Sequence, residues 1–181
     1  MAVTIGTNSG FVSASPTEDP AGSNSNMTGN QVVTGDTSPS GATTIYEVGY
    51  WQDNATADEN YRIGLFADSS GVAGALLQQT DLVAKGSEAG WKKVTVNWSI
   101  SGSTAYWIGF AIVGSNNINW DGGVAGPGWD RINPSSTTFP DPFGGGTLLV
   151  SPGCLAIYAL WVSPSSAATT PPPNLLLLGV G

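Results

Sequence analysis

Residues 91–113 read WKKVTVNWSISGSTAYWIGFAIV, and this stretch decides the fold class. From Trp91 to Trp98 apolar and polar residues alternate, which is the two-residue period of a half-buried β-strand. Residues 105–113 are mostly apolar, as in a central strand with both faces covered. Between the two runs lies Ser101-Gly-Ser103, a sequence that favours a turn. The stretch therefore predicts two consecutive strands with a tight connection, and Val94, Val96 and Trp98 on the inner face of the first.

Outward from this stretch, short apolar runs separated by turn residues recur, and helical periodicity is nearly absent. Residues 43–52 place Tyr46, Val48 and Tyr50 on one face, and residues 60–67 place Tyr61, Ile63 and Leu65 on one face. About eight strands are expected in total. The remaining ones are predicted at residues 3–5, 31–34, 76–84 and 153–162.

About eight antiparallel strands in a chain of this length predict an all-β, two-sheet sandwich. A jelly roll is the favoured connectivity, and an immunoglobulin-like sandwich is the alternative. We expect an N-terminal strand and extended segment at 1–42, a sandwich core at 43–162 and a Pro-rich C-terminal arm at 163–181. The polar residues 13–30 and the long, Gly-rich segment 116–146 are predicted to lie outside the sheets.

The composition excludes several functional classes. The 181 residues include no histidine and one cysteine, Cys154, and the net charge is −8 with only five basic residues. Histidine-dependent catalysis, an internal disulfide and a thiolate zinc cluster are therefore excluded. A chain with so few cations cannot form the positive surface that nucleic acids or acidic membranes attract, so neither is expected as a partner.

Two carboxylates are the only candidates for catalysis. Asp121 and Asp130 each follow a tryptophan in the long segment, and glycosidases use carboxylate pairs beside aromatic side chains. The alternative is that each aspartate caps a turn. Because no other catalytic motif is present, we expect no enzyme and no catalytic residues.

A cluster of oxygen-bearing side chains forms a candidate calcium site at Asp53, Asn54, Asp58 and Glu59. Hard oxygen ligands on a loop suit Ca²⁺, but the spacing is not that of an EF-hand. The alternative is a solvated acidic loop. No other metal and no cofactor are expected.

Seven tryptophans are the strongest compositional signal. Exposed indole rings stack on sugars or are buried in protein interfaces. With few charges available for hydrogen bonding to a glycan, burial in an interface is favoured over sugar binding. The candidate glycan or interface aromatics are Trp51, Trp107, Trp120 and Trp129.

Three segments carry a resemblance to a known kind of protein. Residues 61–77 read YRIGLFADSSGVAGALL, residues 90–96 read GWKKVTV and residues 104–109 read TAYWIG. Together they resemble a β-sandwich module found in phage virion proteins, including decoration proteins, and in bacterial surface proteins, over roughly residues 43–113. The resemblance implies a structural protein of a virus particle, with a phage capsid decoration (cement) protein favoured. The alternative is a carbohydrate-binding or host-attachment module of a fibre or surface protein.

The C-terminal arm is the predicted subunit interface. Its three prolines favour an extended conformation, and the four leucines after them need an apolar groove on this subunit or on a neighbour. We expect a homo-oligomer, with a trimer favoured, that also contacts other virion proteins such as the major capsid protein. Residues 1–7 lack the features of a secretory signal, which favours a virion location after assembly in the host cytoplasm. The predicted interface residues are Pro171, Pro172, Pro173, Leu175, Leu176, Leu177 and Leu178.

Overall fold

The structure, a computed structural model, describes residues 1–53, 55, 57–122, 128–144 and 153–163. Within these residues the regular structure consists of strands, so the all-β prediction is confirmed. The same residues contain no helix with the length and apolar character needed to cross a membrane. The strands are β1 (Gly10–Val12), β2 (Ser23–Asn26), β3 (Gln31–Thr37), β4 (Thr44–Gln52), β5 (Asn60–Asp68), β6 (Ala73–Gln79), β7 (Val83–Ala84), β8 (Gly90–Ser99), β9 (Ala105–Ile112), β10 (Asn117–Asp121), β11 (Trp129–Ile132), β12 (Cys154–Leu155) and β13 (Ile157–Val162).

The strands form two sheets that pack face to face. In sheet I, β4 lies between β8 and β13, and β13 is followed by β1; β10 pairs with β2, with β12 and with the end of β4. Sheet II has the order β11-β3-β9-β5-β6, and β7 also pairs with β5. All pairings are antiparallel except that of β1 with β13. The two-sheet antiparallel sandwich is thus confirmed, while the jelly-roll connectivity stays a prediction.

The decisive stretch crosses from one sheet to the other. Strand β8 pairs with β4 in sheet I, whereas β9 lies between β3 and β5 in sheet II. Ser38 braces the short connection, because its hydroxyl donates to the carbonyl of Ser101 at 2.6 Å and its own carbonyl accepts from the amide of Ser103 at 3.0 Å. The short connection between β8 and β9 therefore joins sheet I to sheet II.

The main core lies between the sheets and follows the predicted alternation. Tyr61, Ile63 and Leu65 of β5 are buried in it, and Val94, Val96 and Trp98 of β8 pack against it from the opposite sheet. One face assignment is wrong. A bulge between Ile45 and Glu47 shifts the register of β4, so Ile45 is buried and Tyr46 is 40 % exposed. A one-residue insertion of this kind reverses the facing of every earlier residue in the strand.

Three strands lie in segments that were predicted to be outside the sheets. Strand β2, within residues 13–30, reads SNSN, and β10 and β11 lie within residues 116–146. These predictions were wrong because β2 carries no apolar alternation and is held by pairing with β10 alone. Strands β1 and β3 of the predicted N-terminal segment also pair within the sheets. Whether residues 1–42 and 43–162 are separate units stays a prediction.

The outer face of sheet I is covered by residues 1–9 and 13–20, which flank β1 and which we call the N-terminal strap. Val3 packs there with Trp51, Cys154 and Ala156. Val12 packs with Tyr158, Leu160 and Trp91 on the same face. Outward-facing side chains of sheet I, which do not enter the main core, are therefore also buried.

The outer face of sheet II is covered by residues 133–144, which we call the phenylalanine strap. Phe139 and Phe143 pack against Phe66 at ring-centroid distances of 5.2 and 5.3 Å. The strap is tied down by the side-chain amide of Gln31, which donates to the carbonyls of Ser136 at 2.8 Å and Thr138 at 2.9 Å. Each of the two sheets is therefore covered on its outer face by a strap from the same chain.

Asp36 fastens β1 and gives the fold a predicted pH dependence. Its carboxylate accepts from the amide of Phe11 at 2.8 Å, and burial raises the pKa of Asp36 above its ordinary value of 3.8 although the amides of Phe11 and Thr37 lower it. Because this pKa is higher in the folded than in the unfolded chain, the folded chain binds the proton more tightly. The contribution of Asp36 to stability is full below pH 3.8 and is lost as the pH rises through the folded-state pKa.

We therefore expect the stability of the wild type, measured relative to Asp36→Asn, to fall as the pH rises from below 3.8 toward neutral. Urea unfolding at a series of pH values measures this difference, and the Asn side chain retains an acceptor for the amide of Phe11. Asp81→Asn, at an exposed position, is the control. Parallel stability curves for the wild type and Asp36→Asn would contradict the assignment.

Candidate functional site

Two of the four candidate tryptophans are buried beneath the straps. Trp51 contacts Trp91 edge to face at 5.6 Å under the N-terminal strap. Trp107 is 1 % exposed next to the phenylalanine strap, and its Nε1 donates to the Asp68 carboxylate at 2.9 Å. Their ring faces are covered by this chain's own atoms, so neither presents a surface to a sugar without rearrangement.

The other two tryptophans meet between the sheets. Trp120 of β10 and Trp129 of β11 have ring centroids 6.4 Å apart, so the structure brings the two Trp-Asp segments together. Trp129 is buried, while Trp120 is half-buried. Of the four candidate rings, Trp120 is the one that retains accessible surface.

The two candidate catalytic carboxylates diverge. Because successive side chains of a strand point to opposite faces, inward-facing Trp120 and Trp129 direct Asp121 and Asp130 away from the space between the sheets. Asp121 is paired with Cys154, whose side chain lies under the N-terminal strap on the outer side of sheet I. Asp130 lies in sheet II. A carboxylate pair that acts on one glycosidic bond must face a common point, and this arrangement does the opposite.

Asp130 is nevertheless an unusual side chain. It is 4 % exposed, and its carboxylate accepts from the amide of Arg131 at 2.6 Å. Burial raises the pKa of Asp130, and the hydrogen bond from Arg131 lowers it. Asp130 therefore satisfies a backbone donor next to β11, which fits a role in shaping the chain.

The acidic loop is held by a lysine. Asp58 accepts from the amide of Gly86 at 2.8 Å, and the Lys85 amine donates to the carbonyls of Ala57 and Gly86. Asp53 accepts from the side chain of Asn24 at 2.7 Å. Two of the predicted oxygen ligands, Asp53 and Asp58, are thus engaged with protein donors. Among the described residues, which leave out Asn54, no group of three or more His, Cys, Asp or Glu side chains could hold a metal ion.

Lys85 holds this loop in place, and the sequence analysis did not predict that role. It is 3 % exposed, and desolvation lowers the pKa of its amine while the charge of Asp58 raises it. A lysine is seldom buried unless its ammonium is paired. In this loop its ammonium supplies a positive charge close to Asp58, and calcium binding stays a prediction.

A hydrogen-bonded chain of four side chains pins the N-terminal strap, and we call it the strap latch. The amine of Lys93 donates to the hydroxyl of Ser15 at 2.6 Å, and Ser15 donates to the carboxylate of Glu47 at 2.6 Å. The buried hydroxyl of Tyr158 donates to the same carboxylate at 2.6 Å. Trp91 adds a bond from its Nε1 to the carbonyl of Glu18 at 2.9 Å.

The strap latch shows what the outward residues of β8 do. Trp91 falls on the polar side of the alternation, and an indole on a supposedly solvated face is the signal that something covers that face. The sequence does not indicate which segment covers this face, because residues 13–20 have almost no apolar side chains. The predicted interface residues Pro171–Pro173 and Leu175–Leu178 lie outside the described residues.

Comparisons with known proteins add no relative. No family model, no curated protein and no solved structure matches this chain.

Proposed function

We propose that this chain is a non-enzymatic structural protein of a virus particle, most specifically a phage capsid decoration protein. It stabilises the shell through contacts between subunits and with the major capsid protein. Its own assembly is a homo-oligomer, with a trimer favoured, and its place is the particle assembled in the host cytoplasm. The sequence resemblance described above supplies the virion setting.

One observation supports an adhesive role more than any other. The side chains singled out for chemistry hold the chain's own segments in place: Asp58 binds a loop amide, Trp107 binds Asp68, and Trp51 lies beneath the N-terminal strap. A body whose outer faces are covered by its own straps, and which meets its neighbours through an arm, is what a shell cement requires.

The low charge of the chain fits the same role. Charged residues make up 10 % of the sequence, against about 25 % in an average domain. A surface of Ser, Thr, Asn and Gly forms contacts that depend little on salt, because screening acts on charges. Among the four candidate aromatics, half-buried Trp120 is the ring that another subunit can contact without rearrangement, because the other three are buried.

The proposal is tested by the absolute mass of the purified chain in solution, with and without residues 171–181, and by the composition of particles from its source. We expect an oligomer that dissociates on truncation, and particles that contain the chain in fixed ratio to the major capsid protein. A chain that is absent from the particles would overturn the virion assignment. A monomer in both forms would overturn the arm-mediated assembly.

A further inference from the structure

Strand β8 has a free edge. It is 10 residues long and pairs with β4 on one side, and no other described strand lies on its second side. Every second residue of an edge strand directs its amide and carbonyl away from the sheet. A free edge of this length is a template for an additional strand.

Groups at two other edges of the sandwich, those of β1 and β6, are bound by this chain. The amide of Phe11 in β1 is bound by Asp36, and two groups of β6 are bound by the phenylalanine strap: the carbonyl of Gly74 by the amide of Phe143, and the amide of Leu76 by the carboxylate of Asp141. In β8, by contrast, Val94–Ser99 carries no charged residue and no proline that would block pairing. Its second half is therefore the best acceptor for a strand among these edges.

The side of the sandwich next to this edge is apolar. Val94 and Val96 of β8 and Val83 of β7 are half-buried and pack against the main core. The loop after β7 approaches the start of β8, where the Lys92 amine is 4.0 Å from the position that a Cβ on Gly86 would take. The two outer faces of the sandwich are covered by straps, whereas Val83, Val94 and Val96 stay half-buried at this side, which we call the open side.

The segment that fits this side is in the same sequence. Residues 174–181 read NLLLLGVG, without charge and without proline, so their backbone can pair and alternate leucines can face the valines. Val162, the last residue of β13, pairs with Thr44, which pairs with Ser99 of β8. The arm thus begins two strand spacings, about 10 Å, from the edge of β8. Twelve residues from Ser163 to Leu175 can span about 40 Å, which is enough to reach it.

We propose, resting on the arm-mediated homo-oligomer of the proposed function, that Leu175–Leu178 add to the free edge of β8 as an extra strand. Because that oligomer joins copies through the arm, the strand is added in trans, from a second copy of this chain. The backbone groups of Val94–Ser99 pair with those of the leucines. Two of the four leucines cover Val94 and Val96, and the other two face outward. The binding surface for the arm is therefore the edge of β8 together with the open side beneath it.

Amide hydrogen exchange of the full chain, followed residue by residue, tests this pairing. The comparison is with a variant of equal length in which Leu175→Ser, Leu176→Ser, Leu177→Ser and Leu178→Ser are combined. We expect the outward-directed amides of Val94–Ser99 to exchange at least about tenfold faster in the variant, because they lose their acceptors. Amides of the central strand β9 serve as the internal control and keep their rates. Equal exchange of β8 in both proteins would overturn the pairing.

A pair of single substitutions on β8 gives an independent readout. Val96→Lys places a charge on the open side, whereas Asn97→Lys places the same charge on the exposed opposite face of the same strand. Val96→Lys should remove the arm-dependent protection of Val94–Ser99 and reduce the mass in solution while the amides of β9 stay protected, and Asn97→Lys should change none of these. A loss of protection in β9 as well would show that the substitution acts on the core. Equal effects of the two substitutions would contradict a binding surface on the open side.

The mass in solution, measured on the same samples, distinguishes failure of the arm pairing from failure of the proposed structural function. A monomer with a protected β8 would overturn binding in trans and place the arm on its own subunit. An oligomer whose β8 exchanges identically with and without the leucines would overturn the pairing and leave the structural function standing. Absence of the chain from particles would overturn the virion role and leave the pairing standing.

Discussion

Replacing Gly64 or Gly109 with alanine should destabilise the protein, although a strand is ordinarily stabilised by that change. The two glycines lie opposite each other in the pairing of β5 with β9, beneath the phenylalanine strap. A Cβ on Gly64 would lie 2.8 Å from the ring of Phe139, and a Cβ on Gly109 would lie 2.7 Å from the ring of Phe66. Glycine-to-alanine changes in a strand interior normally gain about 0.5–1 kcal/mol. Overpacking at this site should instead cost about 1–3 kcal/mol for each substitution.

The cause can be separated from a general effect of alanine by a double-mutant cycle with Phe139→Ala. Urea unfolding of Gly64→Ala alone, Phe139→Ala alone and the combined variant gives the coupling between the two sites. If the ring of Phe139 is what the Cβ meets, Gly64→Ala should cost much less when Phe139→Ala is already present. Additive losses would show that the strap does not press on this position.

This glycine pair shows how far the sequence predicts the fold. The alternation of residues 60–67 and 91–98 predicts which side chains enter the core, because the two-residue period depends only on the strand itself. The role of Gly64 and Gly109 depends on Phe139, which is 75 residues from one and 30 from the other along the chain. Nothing local indicates that contact. The covering straps were missed because tertiary contacts between distant segments position them, and local sequence patterns do not show such contacts.

For the candidate site, too, local sequence predicts some features, whereas others depend on tertiary structure. The acidic loop was recognised as a place where positive charge would be stabilised, and that electrostatic reasoning needed only Asp53, Asp58 and Glu59. That Lys85 folds into this loop is not encoded in the spacing of the acidic residues, and calcium binding there stays a prediction. The carboxylates Asp121 and Asp130 were grouped by their shared Trp-Asp pattern. The sheets separate them because β10 and β11 belong to different layers.

Removing the amine of Lys85 should be among the most damaging single changes in the described residues. Lys85→Met retains most of the apolar stem but leaves the carbonyls of Ala57 and Gly86 without their charged donor. Truncating one side of a buried, charge-assisted network typically costs about 2–4 kcal/mol. For a domain of this size, each kcal/mol lowers Tm by about 2–4 °C. Thermal unfolding of the variant should therefore begin well below that of the wild type.

Lys92→Met is the matched control, since Lys92 is half-buried next to the same loop and its amine lies near Gly86. Its loss should be within about 1 kcal/mol, as expected for a partly solvated charge. Calcium provides the decisive comparison. If the Lys85 ammonium fills the role predicted for a metal, millimolar calcium should leave the Tm of the wild type unchanged. A wild-type Tm that rises with calcium would support the calcium site at Asp53, Asp58 and Glu59. Equal losses of stability for the two lysine variants would contradict a larger contribution from Lys85 than from Lys92.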